Sequence, residues 1–120
     1  MRPVHWIMEL SIDEQKVDDI DTLMEELVSE ADREIGTMAH EWNFSDDGSV
    51  CQLYERFVDA DAAMLHLSMF GEQFADRFLS ACSVTGVTIL GYANEDVLGA
   101  LARFSPNVLT QKAGFARFAD

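Results

Sequence analysis

Positive charge is what this chain has least of. Eight Lys and Arg face 22 Asp and Glu, a formal net charge of −14 over 120 residues. Such a surface repels phosphate backbones and anionic headgroups, which argues against nucleic-acid binding and against membrane surfaces. Long apolar runs are also missing, so no segment reads as a membrane span. The start, Met1-Arg2-Pro3-Val4-His5-Trp6, lacks the apolar stretch of a secretory signal, and the protein is expected in the cytoplasm. Cysteine is scarce. Cys51 and Cys82 form neither a C-x-x-C pair nor a zinc spacing and read as small buried apolar residues. There is no G-x-G-x-x-G, no phosphate-binding loop, no H-E-x-x-H and no G-x-S-x-G. These absences leave chemistry that needs no bound metal or cofactor, or no chemistry at all.

What is present suits one domain with a real core, since 48% of the residues are hydrophobic. Val4 to Ile12 alternates as a strand. A helix is expected from about Val17 to Ile35, its apolar stripe made of Val17, Ile20, Leu23, Met24, Leu27, Val28, Ala31 and Ile35. Gly36 stands where a C′ glycine would end it. Ten acids between Asp13 and Glu34 read as a solvated helix face. Thr37 to Phe44 and Val50 to Val58 read as a hairpin around Asp47-Gly48. Asp59 suits a helix cap, and the helix after it carries Met64, Leu67, Phe70, Phe74, Phe78 and Ala81 inward, with Gly71 as a break point. Ser83 to Tyr92 is a β-branched fourth strand.

This order, β-α-β-β-α-β, is ferredoxin-like: an α+β fold with both helices on one face of a four-stranded antiparallel sheet. The core domain spans residues 1–93. Residues 94–120 form an extension, with Asn94 capping a short helix and Pro106 following it. The apolar end, Ala113 to Phe118, is expected to pack on its own subunit or to reach a partner. Ile7, Ala39, Val50 and Tyr54 make the second sheet face too apolar to be fully wetted.

One stretch concentrates chemistry. On the third strand Cys51, Leu53, Glu55 and Phe57 share a face, which aims Glu55 into an apolar layer. Met38, His40, Trp42 and Phe44 form the inward set of the second strand, and His66 lies four residues before Phe70 on the second helix. Glu55, His40, Trp42 and His66 are therefore expected to converge, with Trp6 as a further wall. A carboxylate beside an imidazole there is either a general base with its orienting partner or a buried hydrogen bond that fixes the helix. Aromatic walls suit a small aromatic or apolar ligand. Tyr54, Arg56 and His5 fall on the opposite face by parity.

The run Leu53-Tyr-Glu-Arg-Phe57, the acidic turn at Asp59 and Asp61, and Ala62-Ala-Met-Leu-His66 resemble the signature of the antibiotic-biosynthesis-monooxygenase-like family. The resemblance covers about 14 residues. It implies a homodimer whose two sheets form an α/β barrel, and oxygenation of quinol- or anthrone-like aromatics by O2 with neither metal nor flavin. It further implies His66 as base and Glu55 as its orienting partner, with Trp42 and Tyr54 placing the substrate beside His40, Phe57 and Phe70. A haem-degrading branch of the same fold uses an Asn, a Trp and a His. Here the first strand has no Asn and Phe57 replaces the Trp, which speaks against that activity. A non-catalytic dimeric barrel that binds a small apolar ligand is the alternative.

Overall fold

Burial alternates residue by residue along the first strand, β1 (Val4–Ile12): Val4, Trp6, Met8, Leu10 and Ile12 face the core. The structure, a computed structural model, describes residues 2–117. After β1 come α1 (Val17–Asp32), β2 (Thr37–Phe44), β3 (Val50–Phe57), α2 (Ala60–Gln73), α3 (Ala75–Ala81), β4 (Cys82–Gly91), α4 (Glu95–Leu101) and β5 (Asn107–Val108). The sheet order is β2-β3-β1-β4-β5. The first four strands are antiparallel neighbours, as the ferredoxin-like reading requires. The sheet departs from a four-stranded antiparallel one through β5, which adds parallel to β4. Two residues are too short a strand to leave a period in the sequence.

The helices cover the face that carries Trp6, Leu53, Phe57 and Ile89, and they contribute Ile20, Leu23, Leu27, Ala63 and Phe78 to one core. Helix α1 stops earlier than its stripe suggests. Ile35 is 102% exposed and Val17 and Val28 are exposed as well, so the buried stripe is Ile20, Leu23, Leu27 and Ala31. Gly36 is not a left-handed C′ residue, because the positive-φ glycines are Gly48, Gly91 and Gly114. It serves close approach instead: a Cβ at Gly36 would lie 2.5 Å from Cβ of Ala62 on α2. Neither atom belongs to a flexible side chain, so Gly36→Ala must push α2 away. We expect a loss of about 1–3 kcal/mol in urea denaturation. A change within a few tenths would mean that the turn before β2 yields freely.

Asp59 caps α2, its carboxylate accepting from the Ala62 amide at 2.9 Å. The helix breaks at Phe74, three residues beyond the expected Gly71. On β2 the inward set holds for His40 and Trp42 only. A register shift between Thr37 and Ala39 and the edge position of the strand leave Met38 and Phe44 exposed.

In the extension Asn94 caps α4 as read from the sequence, accepting from the Val97 amide at 3.0 Å. Val97 and Leu101 enter the main core. Ser105 then turns through a left-handed conformation (φ 50°), and Pro106 precedes β5. The second sheet face holds Ile7 and Tyr54 half-buried and Val50 exposed. Phe115 is 80% exposed, so packing on its own subunit does not cover this segment. Phe118 lies outside the described residues. Among the described residues no helix is long and apolar enough to cross a membrane.

Candidate functional site

Register lines up three side chains across the sheet. On β3, Glu55 lies directly opposite Trp6 of β1 on one side and His40 of β2 on the other. Helix α2 lowers His66 onto this row. His66 sits at the centre of the buried side of α2, 2% exposed, rather than at the edge of an apolar stripe, and Glu55 is 5% exposed.

Both ring nitrogens of His66 are occupied. Nε2 is 3.1 Å from Glu55 Oε2, and Nδ1 is 2.8 Å from Oε1 of Glu34, in the turn after α1. The same Glu34 oxygen accepts from the Thr37 hydroxyl at 2.7 Å. Burial alone would lower the His66 pKa, but the two carboxylates outweigh it and raise it to about 9. Burial would raise Glu55, yet the charge and hydrogen bond of His66 and the neighbouring His40 hold it below the ordinary carboxylate range. At neutral pH the pair is therefore carboxylate and imidazolium. The sequence expectation, His66 as base with Glu55 as its orienting partner, meets a ring whose two nitrogens both face carboxylates.

His40 is held differently. Its Nε2 accepts from the Trp42 indole N–H at 2.8 Å, which puts the proton of the neutral ring on Nδ1. That Nδ1 is 3.7 Å from Glu55 Oε1, beyond hydrogen-bond distance. Burial and the charge of His66 keep the His40 pKa low, against the pull of Glu55. His40, Glu55 and His66 do bring three ligand-type atoms within 4.8 Å of one another. With Trp42 fixing the His40 proton on Nδ1 and both His66 nitrogens held by carboxylates, a metal would have to displace these protons before either ring could ligate it.

A cavity of about 170 Å³ opens on this row. Trp6, His40, Glu55, His66, Leu67 and Phe70 line it, and the extension closes it with Ala100, Leu101, Arg103 and Phe104. One buried donor among the lining residues, His40 Nδ1–H, has no hydrogen-bond partner, while Trp6 Nε1–H helps to hold down the pKa of Glu55, its cross-strand neighbour. Of the residues picked out by sequence, Glu55, His66, His40 and Phe70 meet at the cavity. Phe57 lies behind it, its ring 5.2 Å from that of His66 and 4.9 Å from that of Trp6. Trp42 supports His40 and packs on Phe78. Tyr54 is on the other sheet face, its hydroxyl 3.2 Å from His5 Nδ1. Sequence reasoning missed Glu34, which looked like one more acid of the solvated cluster, and Arg103 and Phe104, which only the path of the extension brings to the cavity.

Fold and site together define an α+β, ferredoxin-like protein with a buried Glu–His pair under an apolar cavity. The chain shares the fold of the antibiotic-biosynthesis-monooxygenase-like proteins. It is similar to the structure of MupZ from Pseudomonas fluorescens, with a TM-score of 0.84 at 19% identity over 98% of this chain and 96% of that one. It is similar to SnoaB, a cofactor-independent oxygenase from Streptomyces nogalater, with a TM-score of 0.65 at 11% identity over 78% of this chain and 96% of that one. A protein from Caulobacter crescentus described as a candidate antibiotic biosynthesis monooxygenase gives 0.65 at 14% identity over 78% of this chain and 92% of that one. The MupZ match takes in the C-terminal extension, which the shorter matches cannot span in full. No family model and no curated protein matches the sequence.

Proposed function

We propose that this protein is a cofactor-independent oxygenase of a small activated aromatic, a quinol- or anthrone-like ring, and that Glu55 is its base. The observation that carries the reading is the Glu55–His66 pair at the base of a mostly apolar cavity. Glu55 removes a proton from an acidic C–H or O–H of the ring. The His66 imidazolium and the free donor of His40 hold the anion that results, in a site where such charges act strongly because water is scarce. The electron-rich anion then reduces O2. For an activated CH2, one oxygen atom becomes the carbonyl and the other leaves as water with the two hydrogens. A cavity of about 170 Å³ is close to one known to hold benzene, which favours one ring over a polycyclic skeleton. We further propose a homodimer, the second copy covering the half-apolar face of Ile7, Val50 and Tyr54.

Saturation of both His66 nitrogens favours a second reading, a barrel that binds a small apolar ligand and performs no chemistry. O2 uptake on a panel of one-ring quinols separates the two. The oxygenase predicts uptake above autoxidation that drops at least about 100-fold in Glu55→Gln. Equal uptake by the variant and the parent removes Glu55 as base. Uptake at the autoxidation rate from both supports the binding protein.

A further inference from the structure

Arg103 lines the same cavity as Glu55 and His66 but is exposed, whereas they are buried. It therefore stands at the solvent end, and it is the one Lys or Arg among the residues that line this cavity. Its guanidinium carbon lies 4.8 Å from the centroid of the Phe104 ring, itself part of the wall. Stacking of this kind uses the flat face of the guanidinium and leaves its in-plane N–H groups free. Among the described residues Lys16, Arg33 and Arg77 have ion pairs; Arg103 has none, as is also true of Arg2, Lys112 and Arg117, but Arg103 is the one of these that lines the cavity.

We infer that the natural ligand of this cavity carries a carboxylate, received by Arg103 at the mouth while the apolar body reaches down to Glu55. This rests on the reading of the cavity as a ligand site, and it adds the chemical class of the ligand. A free acid approaching a protein of net charge −14 meets repulsion almost everywhere, so a guanidinium at the cavity mouth favours docking there. The extension then has a purpose in selection: it supplies both the lid residues and the cation that sorts acids from neutral rings.

Benzoate and benzamide are matched one-ring probes, and calorimetric titration at low salt compares them. Wild-type protein is expected to bind benzoate about tenfold more tightly than benzamide. Arg103→Gln should bring the two affinities together, and a urea midpoint matching the parent's reports that the variant is folded. Arg103→Lys should keep part of the preference. Equal binding of both probes by the wild type, or a preference that survives Arg103→Gln, overturns the inference and leaves the ligand cavity standing. If neither probe binds the wild type, the cavity is not a ligand site and the inference falls with it.

Discussion

Raising the pH through 9 is expected to cost the folded protein about 3 kcal/mol of stability relative to pH 6. The His66 pKa rises from 6.5 to about 9 on folding, a difference of about 2.5 units at roughly 1.4 kcal/mol each. A group whose pKa is raised in the folded state stabilises fully below its unfolded value. His66 therefore contributes its whole share below about pH 6.5, and the contribution fades as pH climbs to about 9, where the folded imidazolium loses its proton. Glu55, held below its ordinary range, acts with the opposite sign: its contribution is lost on acidification, well below the window in which His66 titrates. Urea denaturation between pH 6 and pH 10 checks this. A curve flat across that range would mean that folding does not raise the His66 pKa.

Replacing His66 by Leu should be the most damaging single change near the site. It leaves Glu55 buried among Trp6, His40 and Phe57 with no cation beside it, and Glu34 with the Thr37 hydroxyl alone. Removing one member of a buried pair costs about 3–5 kcal/mol, because the other charge stays where water cannot reach it. The variant also inverts the pH dependence. Glu55 would then regain an elevated pKa from burial, so acidification to pH 5 should restore part of the lost stability by protonating it. Denaturation midpoints of His66→Leu at pH 5 and pH 7 give the answer. A variant equally stable at both, and within about 1 kcal/mol of the parent, would mean that Glu55 is not desolvated as the fold places it.

Local signals carried most of the fold into the sequence. Alternation marked β1 and β3, Asp59 and Asn94 announced their helices, and Asp47-Gly48 marked the hairpin. What failed depends on distant partners. Ile35 continues the α1 period, yet the chain has already turned toward β2 and leaves it in solvent. Phe74, an apolar residue with no turn signal of its own, breaks the helix where Gly71 was the local suspect. Met38 and Phe44 follow the parity of His40 and Trp42, but β2 is an edge strand and its register shifts at Thr37. The convergence of Glu55, His40 and His66 was legible because parity and helical spacing are short-range rules. The protonation of His66 was not. It depends on Glu34, 32 residues away along the chain, and the turn at Gly36 brings the two together by letting α2 approach within contact.

The central claim is that Glu55 and His66 form a buried carboxylate–imidazolium pair under the cavity. A ¹⁵N NMR titration of the histidine rings tests it most directly. The account predicts that His66 carries protons on both nitrogens at pH 7 and titrates near 9, while His40 stays neutral with its proton on Nδ1. A His66 ring that is singly protonated at pH 7, or that titrates near 6.5 like a free histidine, would contradict it.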